Sequence, residues 1–260
     1  MRKRAAIRPQ VVHETIRLEG EEELERPVAA LAWSGLAAGL SMGFSFLTVA
    51  LLRHHLPDAP WRPLVSQLGY AVGFLIVVLG RQQLFTENTL TVVLPLLARR
   101  DGRTLVGMLR LWLVVLATNL LGALGFAWAV RHGGFFGARV HETFSAVAAE
   151  ALARDPASLL VGGVFAGWLI ALMVWLLPAA EAARIWIILV ITYLVGLAHF
   201  PHIIAGSVEV LYGVVDGSVP AATYLLGWML PTLVGNTVGG VALVSALNHA
   251  QVFAGEPETA

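Results

Sequence analysis

The stretch GRQQLFTENT, residues 80–89, interrupts a long apolar run at 64–97, and AHFPHIIAG, residues 198–206, interrupts another at 184–215. A helix crosses about 30 Å of hydrocarbon in roughly 20 residues, so each run is too long for one simple crossing. Irregular backbone at membrane depth persists only where protein covers it or where it lines a wet cavity. The two stretches therefore predict a pair of broken helices beside a lumen.

The composition around these stretches is typical of a membrane protein. Of the 260 residues, 57% are hydrophobic and 13% are charged, whereas soluble domains contain about 25% charged residues. Four more apolar runs have spanning length, at 28–52, 105–130, 158–178 and 221–248. We predict one transmembrane domain over residues 28–250, with a cytoplasmic N-terminal segment, 1–27, and a cytoplasmic tail, 251–260.

The charges exclude several classes of function and indicate an orientation. Basic and acidic residues are equal in number, 17 each, and cysteine is absent, which argues against a nucleic-acid partner and removes disulfides and thiolate metal sites. Eleven basic residues lie on the side of the N-terminus and five on the other, with Arg81 inside a span. Because cytoplasmic loops are enriched in Lys and Arg, both termini are predicted to be cytoplasmic. The basic N-terminus lacks the pattern of a cleaved signal peptide.

Two polar segments are expected to form helices outside the bilayer. The Glu-rich stretch 14–25 has helix-forming composition without a sustained apolar face, which favours a solvated helix before the first span. The linker 131–156 holds most polar residues of the opposite side, and we expect a short surface helix around 142–154.

An internal repeat relates the two halves of the chain. Asn119 and Gly122 in the third span, and Asn236 and Gly239 in the sixth, form the same Asn-x-x-Gly motif. A long, interrupted span precedes the motif in each half. Because three is odd, two halves of three spans cross in opposite senses, so the repeat is inverted. This predicts a pathway between the halves, with the two breaks facing each other, although Asn-x-x-Gly is also a common helix-packing pattern.

Polar side chains at the two breaks are the candidates for chemistry. The first break contains Arg81, Gln82, Gln83, Thr86, Glu87, Asn88 and Thr89, and the second His199, His202, Ser207 and Glu209. Ionisable groups within spans are functional candidates by default, although a membrane histidine can also be a packing donor. For Arg81 and Glu87 we favour structural roles, in a mutual ion pair or at helix ends.

The sequence does not predict an enzyme or a bound cofactor. No carboxylate lies between His199 and His202, and no third metal ligand is evident nearby, so we expect no metal site. A glycine-rich nucleotide loop is absent from the chain. The expected partners are the lipid bilayer, other copies of the chain and a small-molecule or ion substrate.

Three motifs in order, LFTEN at 84–88, FPHIIAG at 200–206 and PTLVGNTVGG at 231–240, resemble the formate/nitrite transporter family. The resemblance covers roughly residues 29–250 and is closest to its divergent, YfdC-like bacterial inner-membrane branch, through the stretch 166–209. It implies an all-α membrane protein with an aquaporin-like six-helix bundle, inverted three-helix repeats, and second and fifth helices that are broken. It further implies a homopentamer in the inner membrane that passes small monovalent acids or anions such as formate and nitrite.

By position, the resemblance implies roles for individual residues. His202 matches the central pore histidine and Thr86 the loop threonine beside it, and His199 and Asn88 are further pore candidates. Two constrictions are implied, one on the cytoplasmic side and one on the periplasmic side. Their residues are Leu84, Phe85 and Phe74 for the first, and Tyr70 and Val195 for the second.

The chain departs from the family pattern at several positions. The family's vestibule lysine has no counterpart, since Lys3 is the only lysine, and Arg139 or Arg154 are the candidates to replace it. The family's pore asparagine of the fourth span falls near Gly167 or Trp168. Pro201, rather than an acidic residue, precedes the pore histidine.

These residues leave three hypotheses. In the first, an anion meets Thr86 and His202 and passes as the neutral acid or with a proton that His202 lends and recovers. In the second, Glu87 and Glu209 favour a neutral or cationic solute such as ammonia or ammonium, water or glycerol, although no Asn-Pro-Ala motif of orthodox aquaporins occurs. In the third, Phe74, Phe85 and Tyr70 close the pore of a nonconducting membrane scaffold.

Overall fold

A computed structural model describes residues 7–254, and every regular element within that range is helical. The ends of the predicted N-terminal segment, 1–6, and of the predicted tail, 255–260, lie outside it. The α-helices are α1 (Pro9–Glu25), α2 (Val28–His55), α3 (Arg62–Ser66), α4 (Ala71–Leu79), α5 (Asn88–Thr91), α6 (Val93–Arg99), α7 (Gly102–His132), α8 (Ala138–Leu152), α9 (Pro156–Leu176), α10 (Arg184–Leu197), α11 (Ala205–Asp216), α12 (Leu230–Val238) and α13 (Leu247–Ala254).

Helices of membrane-crossing length account for most of the chain. Five helical stretches are long and apolar enough to span a bilayer: Val28–His55, Arg62–Leu79, Gly102–His132, Pro156–Ala179 and Thr223–Val252. The predicted run at 184–215 is divided between α10 and α11, and the run at 64–97 is divided where α4 ends and α5 begins. The predicted all-α membrane class is confirmed.

Glycines bring the helices of each half into close contact. In the first half, α2 packs along α7, and in the second, α9 packs along α12. A Cβ atom on Gly39 of α2 would overlap the backbone carbonyl of Asn119, and one on Gly167 of α9 would overlap that of Asn236. Small residues let helix backbones approach in this way within a membrane. Gly167 is therefore a packing residue between α9 and α12.

In the first half, the side chain of Asn119 holds the interrupted backbone in place. Its Oδ1 accepts a hydrogen bond from the backbone N–H of Phe85 at 3.0 Å. Its Nδ2 donates to the carbonyl of Gln83 at 2.9 Å and to that of Gly35 at 2.7 Å. One amide thus satisfies two backbone groups of the interrupted segment and ties them to a carbonyl inside α2.

Asn236 makes the same three hydrogen bonds in the second half. Its Oδ1 accepts from the N–H of Ile203 at 2.8 Å, and its Nδ2 donates to the carbonyls of Pro201 and Gly163, both at 2.9 Å. Each asparagine therefore spans one residue of its break, Leu84 in the first half and His202 in the second. By hydrogen bonding, the counterpart of His202 is Leu84, and Thr86 lies two residues beyond that position.

The helices preceding the breaks also end alike. Arg81 and His199 adopt left-handed backbone conformations, with φ of 49° and 51°. The next residue in each case bonds back to the helix, Gln82 N–H to Val77 and Phe200 N–H to Val195, both at 3.0 Å. This is the Schellman pattern of helix termination. Arg81 is thus a helix-end residue, as the sequence predicted.

Helix α1 is not the solvated helix that the sequence predicted. Val12 and Ile16 are buried, and Gly20 lies so close to α5 that a Cβ atom would overlap the carbonyl of Thr91. The three residues are spaced four apart and therefore share one face of the helix. Because this narrow stripe is interspersed with glutamates, the composition of the segment does not reveal the buried face.

The expected surface helix is α8, which begins at Ala138, four residues before the predicted start. Its Phe144 is fully buried, with ring centroids 5.1 Å from Phe46 and 5.3 Å from Tyr212. One face of α8 therefore packs on α2 and α11 and covers that end of the bundle.

Replacing either asparagine by alanine is expected to destabilise the protein strongly. Asn119→Ala or Asn236→Ala leaves one buried N–H and one buried carbonyl of the break unpaired, and each such group costs about 1–3 kcal/mol. Thermal unfolding in detergent should show a large drop in midpoint for both variants. Asn248→Ala is the matched control because its amide nitrogen has no partner in the part of the chain described. A drop for Asn248→Ala as large as for the other two would contradict this assignment.

Candidate functional site

One cavity, which we call the α8-side cavity, opens near α8 and has a volume of about 220 Å³. Both halves of the chain contribute to its wall. The candidates from the sequence that line it are Tyr70, Val195, His199, His202 and Glu209, and Arg53, Glu150 and Arg154 add charge. Four of the predicted pore and constriction residues thus meet at one cavity, with Glu209 of the second break.

A second cavity, the α1-side cavity, has a volume of about 390 Å³. Residues of the first break, Arg81, Gln82, Gln83, Glu87 and Asn88, line it together with Arg184 and one face of α1. The residues from α1 include Val12, Thr15, Glu19, Glu22 and Glu23. The packed N-terminal helix therefore forms a wall of this cavity.

A layer of side chains separates the two cavities. Tyr70, directly before α4, lines the α8-side cavity and Val78 of α4 lines the α1-side cavity, and eight helical residues extend about 12 Å. Phe74 lies midway, is fully buried and packs edge-on against the ring of His202, with centroids 5.0 Å apart. The cavities have no lining residue in common. We call Phe74, Thr86 and His202 the central layer.

The two breaks meet in the central layer through one hydrogen bond. Nε2 of His202 lies 2.8 Å from Oγ1 of Thr86, and both residues are fully buried. Nδ1 of His202 accepts from the backbone N–H groups of Ile204 and Ala205 at 3.3 and 3.2 Å. Backbone N–H groups only donate, so Nδ1 carries no proton. A neutral His202 therefore holds its proton on Nε2 and donates it to Thr86.

Three other candidates of the first break lie beside this layer. Leu84 is fully buried and lines neither cavity, and Phe85 packs against Trp112 of α7 with centroids 5.6 Å apart. Asn88 is in the wall of the α1-side cavity, but its amide braces the loop by donating to Oε1 of Gln83 at 2.9 Å.

The charges of the α8-side cavity partly neutralise one another. Arg53 and Glu150 form an ion pair between α2 and α8. The guanidinium of Arg154 donates to the carbonyls of His199 at 2.7 Å and Ala198 at 3.3 Å, which are left unpaired where α10 ends. Arg139 does not line this cavity. Of the two arginines considered in place of the family's lysine, Arg154 is thus the one at the cavity wall.

The neighbouring Asp155 fixes the turn into α9. Its carboxylate accepts from the hydroxyl of Ser158 at 2.6 Å and from the N–H groups of Ser158 and Ala157. These bonds, the Ser158 hydroxyl first, lower the pKa of Asp155 below its ordinary value. The charged N-cap holds Arg154 at the start of α9, beside the cavity.

Several polar atoms in the α1-side cavity are buried without a hydrogen-bond partner among residues 7–254. They are Oε1 of Gln82, Oε1 of Glu87 and Nε of Arg184. Of the two structural roles considered for Arg81 and Glu87, the mutual ion pair is not formed, since neither residue has an ion-pair partner within residues 7–254.

Sequence patterns do not single out Arg53, Glu150 or Arg184. Arg53 and Glu150 lie 97 residues apart and meet only because α8 packs across α2. In the sequence, Arg184 is a single basic residue at the start of a span, with no motif around it. No motif or spacing marks these residues, and the fold alone brings them to the cavities.

Comparison with known proteins agrees with this architecture. The family model described as formate/nitrite transporter matches residues 10–250. The chain is 41% identical to the inner membrane protein YfdC of Escherichia coli over 96% of this chain and 80% of that protein. It is 25% identical to the formate channel BtFdhC of Bacillus thuringiensis, over 91% of this chain and 92% of that one.

Solved structures share the fold. A pentameric formate channel with formate bound superposes with a TM-score of 0.73 at 20% identity, over 91% of this chain and 99% of that one. An FNT family ion channel gives a TM-score of 0.78 at 19% identity, over 95% and 100% of the two chains. The resemblance drawn from the three motifs is confirmed, and the chain belongs to the formate/nitrite transporter family.

Proposed function

We propose that this protein is a membrane channel for small monovalent weak acids or their anions, of the class of formate and nitrite. The observation that carries the proposal is the hydrogen bond between His202 and Thr86, where the two breaks meet between two cavities. The channels of known structure that share the fold support it, one of them with formate bound.

The central layer favours a neutral solute. A bare anion next to the rings of Phe74 and His202 would lose its hydration, and desolvating a charge is costly. The hydroxyl of Thr86 accepts the proton of Nε2, so its own hydrogen can be donated to an oxygen of the solute. A carboxylic acid or nitrous acid can therefore cross with one hydrogen bond retained and no net charge.

The role that we propose for His202 differs from that of a proton lender. Protonation of Nδ1 would break its hydrogen bonds from Ile204 and Ala205, which orient the ring. Loss of the Nε2 proton from the neutral ring would create an imidazolate. We therefore assign His202 the role of a fixed hydrogen-bond donor that orients Thr86.

On the α8 side, arginines supply the positive charge that attracts an anion. Arg154 replaces the family's vestibule lysine in this proposal, with Arg53 beside it. Both arginines share this cavity wall with the carboxyl groups of Glu150 and Glu209. The attraction is accordingly weaker than that of an entirely basic vestibule.

A cationic or neutral solute is the second candidate. The α1-side cavity is lined by Glu19, Glu22, Glu23, Glu87 and Glu181 against Arg81 and Arg184. This excess of acidic residues favours ammonium over an anion on that side. Transport assays should therefore measure ammonium flux as well as anion flux.

We further propose that the chain assembles as a homopentamer in the bacterial inner membrane, with both termini and the α1-side cavity cytoplasmic. The distribution of basic residues supports the orientation. Large apolar side chains point outward from the bundle, among them Trp33, Leu113, Trp186 and Leu226. Lipid and neighbouring subunits would cover such surfaces.

Substitution of Thr86 or His202 is expected to impair transport. Thr86→Val removes the hydroxyl while keeping the shape, and His202→Phe removes the donor that orients it. Stopped-flow measurements on proteoliposomes should show formate and nitrite flux about tenfold lower in both variants, the effect of losing about 1.4 kcal/mol of stabilisation. Thr192→Val is the matched control, because the buried Thr192 hydroxyl donates only within its own helix, to Ile188 at 2.7 Å. Unchanged flux in both pair variants would refute the assignment, and flux of ammonium alone in the wild type would favour the second candidate.

Removing the ring of Phe74 is expected to open the central layer. In Phe74→Ala the cavities should become continuous, so formate flux should rise and larger acids such as propionate should enter. Phe44→Ala controls for loss of an aromatic ring, because Phe44 is 42% exposed and packs on Phe126. Flux equal to that of the wild type, in a variant that unfolds at a normal temperature, would exclude Phe74 as the barrier.

A further inference from the structure

We propose that Glu209 and Glu87 form a proton relay, with one carboxyl on each side of the central layer. Glu209 protonates the incoming anion in the α8-side cavity, and Glu87 takes the proton from the acid in the α1-side cavity. The inference rests on the proposed function, passage of a weak acid in its neutral form.

Thr86 and His202 themselves have no proton that they can transfer to the solute. Nδ1 of His202 is occupied by two backbone N–H groups, and the proton on Nε2 is donated to Thr86. A threonine hydroxyl donates a hydrogen bond but is far too weak an acid to protonate a carboxylate. The proton that neutralises the anion therefore comes from a group in the cavity wall.

Glu209 is placed to supply that proton. It lies four residues into α11, about 6 Å along the helix from Ala205, and lines the cavity that His202 closes. The other titratable or charged groups facing that cavity are Arg53, Tyr70, Glu150, Arg154 and His199.

The arginines of this cavity are already engaged. Arg53 pairs with Glu150, and Arg154 donates to the carbonyls at the end of α10. Within residues 7–254, Glu209 has neither an ion-pair nor a hydrogen-bond partner. An unpaired carboxyl at this depth is most stable when it holds a proton.

Glu87 occupies the matching place on the other side. It directly follows Thr86 in the chain, lines the α1-side cavity, and its buried Oε1 lacks a hydrogen-bond partner. Arg184 faces it across the cavity, also with an unpartnered Nε, and α1 contributes Glu19 and Glu23. The carboxyl is thus the first titratable group that an acid meets after leaving Thr86.

The proton balance of the relay is simple. In the α8-side cavity the O–H bond of the Glu209 carboxyl breaks and an O–H bond forms on the solute anion, which leaves a Glu209 carboxylate. In the α1-side cavity the acid returns the proton to Glu87, whose carboxylate form is stabilised by the facing guanidinium of Arg184, and departs as the anion. Water in each cavity restores the two groups, so one anion and one proton cross together.

The test measures proton entry with formate in proteoliposomes that contain a pH-sensitive dye. Glu209→Gln and Glu87→Gln should each slow formate-dependent acidification of the lumen about tenfold or more. In Glu209→Gln the remaining rate should lose its dependence on the pH of the α8 side. Glu209→Asp and Glu87→Asp keep a carboxyl and should restore most of the rate. Glu142→Gln and Glu25→Gln are the matched controls, since both residues are exposed and line neither cavity.

The outcomes separate the two proposals. Absence of formate uptake in the wild type, relative to protein-free vesicles, contradicts the proposed function itself, and uptake without acidification contradicts passage in the neutral form. Acidification in the wild type with the same rate and pH profile in both Gln variants overturns the relay alone. A slow rate that the Asp variants do not restore, with an unchanged pH profile, also overturns it, because it shows that the glutamates matter only for packing.

Discussion

The structure depends on two asparagine amides that satisfy broken backbone inside a membrane. Asn119 and Asn236 each pair with one N–H and one carbonyl of a break, groups that would otherwise find no partner in hydrocarbon, and with one carbonyl of a neighbouring helix. Each amide brackets a single residue between its hydrogen bonds to the break. In one half that residue is Leu84 and in the other His202, so the same scaffold presents an apolar group once and an imidazole once.

This asymmetry within a symmetric scaffold explains the central layer. The ring of His202 is oriented by the N-terminal N–H groups of α11 and directs its remaining proton to Thr86, which the first break supplies. Phe74 closes the space between the cavities against the same ring. A weak acid that sheds its charge meets one polar contact there, whereas an ion meets an apolar barrier.

Much of the fold could be predicted because its determinants are local. The sequence shows the two interrupted runs, the two Asn-x-x-Gly motifs and the LFTEN stretch directly. These patterns identify Thr86 and His202 as candidate residues at the two breaks. The pairing of Arg53 with Glu150 depends on how α8 packs, which no pattern encodes. The apolar face formed by Val12, Ile16 and Gly20 is interspersed with glutamates, so composition does not reveal it. Of the two structural roles considered for Arg81, a helix end and an ion pair with Glu87, the backbone shows the helix end.

The central claim is that the solute crosses the layer without net charge. The most direct measurement is formate uptake into proteoliposomes under a potassium diffusion potential of either sign, at fixed pH on both sides. Electroneutral passage predicts that the initial rate is independent of the potential and that one proton enters with each formate. A rate that rises with an inside-positive potential, without proton entry, would show that the bare anion crosses and would contradict the account.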